Sequence, residues 1–369
     1  MTLEEQIKQL ALEEGANLVG ICSAESLSDK EASDPHYLLP EAQSIVCFAL
    51  KMEDTLVKKY LSKEDYLSFC HEEGHMTKHL LRIGDKIKQF LEQKGFKAQR
   101  CSANFNYRNV NTASKAIIPA LRNLIDLINK DDDPGEDLTK KEQKTLNTLK
   151  KMILGGLRKT PIGLIPNFSH KCAAVAAGLG RIGWSGNLVT KQFGARVLLN
   201  SVITDAKLAP DSPLEESPCI GCKLCEKCCQ GGLFERDESQ IIKIAGVEEK
   251  IAKRNSTAYC IAICTGMAGQ NKFKEWSTWS PFRFEDRDHL PLDESVDKYV
   301  QNMFARAVEH GGKEAENVLR LVENTYLGRN DKPAEDFRQT CGFCQLVCGP
   351  TMKDKKESYR LLMQSGSVD

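Results

Sequence analysis

The chain has no charge imbalance: 51 lysines and arginines offset 51 aspartates and glutamates across 369 residues. No global field therefore recruits nucleic acid or an anionic membrane surface. Long apolar runs are missing too, and nothing approaches the ~20 residues that a spanning helix requires. The opening MTLEEQIKQL has neither the basic start nor the apolar stretch of a secretory signal, which points to a reducing cytoplasm where disulfides are rare. No repeat of solenoid length is visible. What the chain has in excess is cysteine, 15 residues. In a reducing compartment, cofactors explain such a number better than bridges do.

Seven of these cysteines stand at ligand spacing in two short runs: Cys219, Cys222, Cys225 and Cys229 in CIGCKLCEKCC, which also contains Cys228, then Cys341, Cys344 and Cys348 in CGFCQLVCGP. The first run is C-x2-C-x2-C-x3-C, the spacing with which bacterial ferredoxins hold cubane iron–sulfur clusters, three thiolates to one cluster and the fourth to its neighbour. By that crossed logic Cys219, Cys222 and Cys225 share a 4Fe-4S cluster with Cys348, while Cys229, Cys341 and Cys344 hold a second. Two clusters need eight thiolates, so one is missing. Cys260, in AYCIAICTG, is the first choice, with Cys264 one helical turn on in reserve and Cys228 third. A zinc site with Zn–S distances of ~2.3 Å would use four thiolates and leave the others unexplained. The scattered Cys22, Cys47, Cys70, Cys101 and Cys172 read as small buried hydrophobes.

The first ~215 residues alternate helix-like and strand-like segments, the order expected of an α/β layer fold. LEEQIKQLALEEGA, KHLLRIGDKIKQFLEQKGF and AIIPALRNLIDLIN have helical periodicity, whereas ANLVGICS, QSIVCFALKM, FKAQRCSA and ARVLLNSVITDAKL read as strands. DDDPGEDLTKKEQK reads as a charged, solvated loop. His71-Glu72-Glu73-Gly74-His75 matches H-E-x-x-H, with His79 extending the stripe, but Gly74 and Glu73 make a solvated polar face the better reading than a zinc protease. Gly178-Leu179-Gly180-Arg181-Ile182-Gly183 is a literal G-x-G-x-x-G. A dinucleotide site needs a strand before it, and HKCAAVAA is helix-prone instead. The expectation is a helix ending at Gly178 and a tight loop beyond.

That loop and the cysteines together resemble the central block of the epoxyqueuosine reductase and reductive dehalogenase group, the corrinoid-dependent iron–sulfur reductases. The shared order is Ala177 to Gly183, then Thr204-Asp205, Pro210-Asp211 and the first cysteine run. LLPEAQSIVCFAL, the opening helix and NLVGIC also resemble the epoxyqueuosine reductase start. An isolated cysteine between the runs is a feature of the group, which favours Cys260. There are departures. Gln230 stands where a proline is usual, Gly349 separates Cys348 from Pro350, and no carboxylate precedes the glycine loop where epoxyqueuosine enzymes place a proton donor. A transfer-RNA substrate is disfavoured, since only about twenty residues follow the last cysteine and no helical-repeat tail is seen. No twin-arginine export signal of the dehalogenase type is present either.

The resemblance implies a mixed fold, α/β (α+β): a nitroreductase-like corrinoid-binding α/β domain over residues 1–210, then a two-cluster ferredoxin-like domain over 211–350. An insertion lies at about 266–335 and a tail at 351–369. WSTWSPFRF, with Trp276, Trp279, Phe282 and Phe284, would form an aromatic lid over the corrinoid. Gly178, Gly180, Gly183 and Asn187 would lie against the macrocycle or the near cluster, and Thr204 and Asp205 would hold corrin amides. Tyr107 and Arg108, or His170 with Lys171, would deliver protons, Tyr107 being preferred. Reduced ferredoxin or flavodoxin would supply electrons, and an anaerobic, cytoplasmic reductase of a small molecule is expected. The alternatives are an electron-transfer or corrinoid-activating protein without a substrate of its own and, further off, an epoxyqueuosine reductase acting on tRNA.

Overall fold

The computed structural model describes residues 1–102, 108, 117–132, 137–158, 165–264, 266–279, 286–327 and 341–368. Helix α1 (Leu3–Glu13) leads into strand β1 (Leu18–Ser23), and β2 (Ser44–Lys51) is followed by α2 (Asp54–Leu61) and α3 (Leu67–Gln93). Strand β3 (Ala98–Arg100) precedes helices α4 (Ile117–Asp131) and α5 (Lys140–Leu149). A π-helical turn, Lys150–Leu154, then runs into the short α6 (Gly155–Leu157). Next come α7 (His170–Ala176), the two-residue strands β4 (Arg181–Ile182) and β5 (Leu188–Val189), and the long β6 (Val197–Thr204). The first cysteine run holds α8 (Leu224–Lys227) and opens into the hairpin β7 (Phe234–Ile244) and β8 (Val247–Arg254). Helices α9 (Thr257–Cys264), α10 (Val296–His310) and α11 (Gly312–Leu327) follow. The second run holds α12 (Phe343–Leu346), and α13 (Met352–Gln364) comes after it.

The main sheet has the order β1-β2-β6-β3 and is antiparallel throughout, so the mixed fold is of the α+β kind. Its pleat explains why the strand sequences look apolar without alternation. On β2, Val46, Phe48 and Leu50 face one core, shared with α1 and α3. Ile45, Cys47 and Ala49 face the other, shared with the alanines of α7. The strand is thus the middle of three layers. Cys22, Cys47 and Cys101 are buried there as small apolar side chains.

Helix α3 is longer than its periodic core suggests and includes the H-E-E-G-H segment. Glu73 lies on the buried side, whereas His79 turns its Nε2 to the Glu14 carbonyl at 2.6 Å. The charged segment expected to be a loop is helical from Lys140, because Leu146 and Leu149 give it an apolar side. Helices α4 and α5 do not pack on the sheet. Leu121, Leu124, Ile125 and Leu146 share a core with Tyr259 and Ile263 of α9 and with Val300, Met303 and Val318 of α10 and α11. Two segments distant in sequence therefore build one helical layer. No described helix is long and apolar enough to cross a membrane.

Arg196, 2% exposed, joins the sheet to the C-terminal elements. Its guanidinium donates to the Leu346 carbonyl at 2.8 Å, the Asp54 carboxylate at 2.6 Å and the Ser358 hydroxyl at 2.5 Å. Arg196→Met leaves two of those acceptors buried and unmet, at a cost of about 1–3 kcal/mol each. A fall of several degrees in the thermal midpoint is expected, whereas Asp54→Asn, at an exposed partner, should move it less. Equal shifts in the two variants would show that the buried contacts contribute little.

Candidate iron–sulfur centre

The two cysteine runs are built alike. In the first, Lys223 adopts a left-handed conformation (φ 56°) between Cys222 and Cys225 and starts α8. In the second, Gly342 does the same (φ 73°) between Cys341 and Cys344 and starts α12. Each turn brings two thiols onto one side. Lys223 is a non-glycine residue in this region, and its ammonium is fixed over the Trp184 ring at 4.7 Å and to Asp237 at 2.6 Å.

The second run is held against the start of β6. Ala195 donates its N–H to the Cys348 carbonyl at 2.8 Å, and the Gln345 amide reaches the Ala195 and Val197 carbonyls, each at 3.1 Å. Cys348 is thereby carried to the first run. Cys219, Cys222, Cys225 and Cys348 line one cavity together with Trp184, Val189, Leu224 and Lys355. A single zinc ion would draw four sulfurs together at Zn–S distances of ~2.3 Å. Among the described residues no group of three or more histidines, cysteines, aspartates or glutamates stands close enough to hold a single metal ion, so the thiols are spread rather than drawn to one point. Thiols spread around a cavity suit a cubane, in which each iron takes one cysteine.

On the other side of the cysteine loop, Cys229, Cys260, Cys341 and Cys344 act on one another electrostatically. Cys264 is part of this group, its sulfur 3.4 Å from that of Cys260 and hydrogen-bonded to Cys341. Five thiols thus surround the second position. Cys228 is buried and donates its thiol to the Cys225 carbonyl at 3.3 Å. Burial, followed by the neighbouring thiols, pushes Cys344 up to about 12, and burial pushes Cys348 up to about 11. Such a group of sulfurs favours cations that displace its protons.

Two N–H groups address these sulfurs. The Trp184 backbone N–H points to Cys219 Sγ at 3.3 Å, and the Asn187 amide to Cys344 Sγ at 3.6 Å. Donors of this kind tune cluster potentials. Trp184 also donates its indole N–H to the buried Glu226 at 2.6 Å, which ties the glycine loop to α8. Gly183 lies against the same thiol, since a Cβ there would be 3.3 Å from Cys219 Sγ. Trp184 went unnoticed in the sequence, although it directly follows that glycine.

The remaining expected site residues are placed as follows. Helix α7 ends before Gly178, which has φ 71°. A Cβ on Gly178 would meet the Ser212 carbonyl at 2.5 Å, and one on Gly180 the Val189 carbonyl at 2.4 Å. Both glycines are packed by the chain's own backbone. The Thr204 hydroxyl donates to the Lys97 carbonyl, and the Asp205 carboxylate accepts from the Lys97 N–H, each at 2.8 Å, so both tie β6 to β3. Arg108 spans the carbonyls of Asp34, Pro166 and Asn167 and stacks on Tyr37. His170 is buried between Ser201 and the Ser102 carbonyl, each at 3.0 Å. Tyr107, Phe282 and Phe284 lie outside the described residues. Trp279 donates its indole N–H to the Tyr60 carbonyl and packs among Tyr60 and Tyr66, and the Tyr60 hydroxyl donates to the Cys341 carbonyl.

Lys171 adjoins the second cluster position, its ammonium 2.8 Å from Asn187 Oδ1. It keeps solvent-accessible surface, yet enough protein surrounds it that desolvation lowers its pKa. Asn167 Oδ1, just before α7, is buried with no partner among the described residues.

No protein-family model matches the chain. A tetrachloroethene reductive dehalogenase of Desulfitobacterium hafniense is 47% identical over 55 residues, which is 15% of this chain and 10% of that protein. An epoxyqueuosine reductase of Bacillus cereus is 41% identical over 64 residues, 17% of each chain. The chain thus matches about a tenth of the length of its dehalogenase relatives. A solved reductive dehalogenase, whose structure is described as suggesting a mechanism for B12-dependent dehalogenation, aligns with 89% of this chain and 37% of its own. Its identity is 16% and its TM-score 0.45. The resemblance read from the motifs therefore recurs in curated members of both branches of the group, and these relatives are reductases.

Burial holds the His170 imidazole at a pKa of about 4, against 6.5 when free. Between these values the unfolded chain binds the extra proton and the folded one does not, so this residue costs nothing above pH 6.5 and destabilises progressively as pH falls to about 4. The full effect is roughly 3 kcal/mol. Urea midpoints at pH 7 and pH 4.5 should differ less in His170→Gln than in the native chain. An unchanged difference would show that His170 is not the group titrating.

Proposed function

We propose that the chain is a corrinoid-dependent iron–sulfur oxidoreductase, in which two 4Fe-4S clusters carry electrons from reduced ferredoxin or flavodoxin to a cobalamin that reduces a small-molecule substrate. One observation carries this reading: three cysteines of the first run and Cys348 of the second line one cavity, the crossed pairing that interlocked clusters require. Cys229, Cys341, Cys344 and Cys260 serve the second cluster, with Cys264 close enough to substitute. The sheet-containing part, residues 1–210, is the nitroreductase-like corrinoid and substrate domain, and 211–350 the ferredoxin-like domain. Local identity to reductases of both branches supports the assignment.

A bound cobalamin supplies a low-valent cobalt as the reductant of the substrate. The chain's part is to hold it, to deliver electrons and to place a proton. Gly178, Gly180, Thr204 and Asp205 are committed to internal contacts, and Asn187 and Lys171 bond to each other, so the orphaned Asn167 Oδ1 is the polar atom left to meet a corrinoid. Arg108 and His170 are likewise engaged, which leaves Tyr107 and Lys171 as proton donors. The filled glycine loop favours a second reading, an electron-transfer protein that acts on a separate corrinoid protein.

Anaerobically purified chain should contain close to eight irons and take up one cobalamin, read as corrin absorption beside the broad cluster band. Full iron without cobalamin uptake selects the electron-transfer reading. Four irons or fewer at full occupancy defeats both. Cys260→Ser should halve the iron while Cys264→Ser retains it, and the reverse result makes Cys264 the ligand.

A further inference from the structure

Lys355 is the fourth residue of α13 and is only 4% exposed, while the lysines on either side, Lys353 and Lys356, are exposed. Its ammonium makes no ion pair or hydrogen bond with any described residue. A buried cation without a counter-charge is costly, and long side chains normally bring the charge to water. The first turn of a helix is also the wrong end for a positive charge, since the macrodipole already places a partial positive charge there. Two local rules are broken at one residue, which asks for a compensating partner.

The surroundings supply one. Lys355 lines the cavity formed by Cys219, Cys222, Cys225 and Cys348, and its charge is felt by the Cys348 thiol. A cubane held by four thiolates is anionic in every redox state and gains a further negative charge on reduction. We propose that Lys355 is the internal counter-cation of this cluster and sets its potential, stabilising the reduced state more than the oxidised one. The assignment rests on the iron–sulfur reading above. Arg196 adds to the same field, with its guanidinium beside Gly349, where a Cβ would be 3.2 Å from Cζ. That charge is already shared with the Asp54 carboxylate, whereas the charge of Lys355 is not. Lys355 thus carries the adjustable part of the field.

The test is a potentiometric titration of the purified, cluster-loaded chain followed by electron paramagnetic resonance, which reads the clusters without substrate or turnover. Lys355→Met keeps the buried stem and removes the charge. It should move the midpoint of one cluster to more negative values and leave the other in place. Lys355→Arg should restore most of the native midpoint, and Lys356→Met, an exposed charge on the same turn, should shift neither. Full iron with both midpoints unmoved in Lys355→Met overturns the proposal, as does an equal shift in Lys356→Met. Should Lys355→Met lose iron, Lys355→Gln is titrated in its place, and loss of the cluster there too makes the residue structural and overturns the tuning role. A native chain with no reducible cluster signals contradicts the iron–sulfur reading itself, a result distinct from all of these.

Discussion

The seating of the second cysteine run on the first residues of β6 is the contact on which the centre depends. Through the Ala195 N–H and the Gln345 amide, a central strand of the sheet fixes where Cys348 lies, and Arg196 secures the same stretch to α12 and α13. The first of these is a backbone-to-backbone bond, and in the others a side chain reaches backbone carbonyls or a buried hydroxyl. Without that seating the two runs would be separate loops, each one ligand short. With it they interlock, and the sheet, the cysteine loops and the C-terminal helix become parts of one framework.

The two cluster positions are alike in backbone and unlike in charge. One has Lys355 and the Trp184 N–H, within a wall made of α8 and α13. The other has the Asn187 amide and Lys171 close by, and the Arg254 guanidinium acts on Cys260. Similar loops thus surround the two groups of thiols with two different fields. Potentials follow burial, hydrogen bonds to sulfur and nearby charge. Under the proposed reading, a chain that repeats one turn geometry would still obtain two distinguishable redox centres.

The sequence was most readable where the chemistry is local. The strand at QSIVCFALKM and the helix that ends before Gly178 could be written down before any coordinates, and ligand spacing, set by a few consecutive residues, suggested the proposed grouping of Cys219, Cys222, Cys225 and Cys348, which line one cavity. It was least readable where meaning depends on distant contacts. Nothing in KDKKES separates the buried lysine from its exposed neighbours. Thr204 and Asp205 resembled ligand-binding groups, yet their hydrogen bonds go to Lys97, a partner far off in sequence. The segment at Lys140 looked solvated because its charges outnumber its two buried leucines, whose partners come from the other half of the chain. The hairpin β7–β8 escaped notice as its outer face is polar along most of its length.

Helix α9 has two occupations. Ala258, Tyr259, Ala262 and Ile263 are embedded in the helical layer, while Cys260 packs toward the cysteine loops. The thiol it offers is in register only when helices from both distant segments have come together around it, and such long-range closures are slow steps of folding. In the proposed centre, iron would therefore be captured by an almost finished molecule. Biogenesis of the proposed second cluster would then be a checkpoint on the helical layer, since a chain misassembled there would lack its full complement of metal.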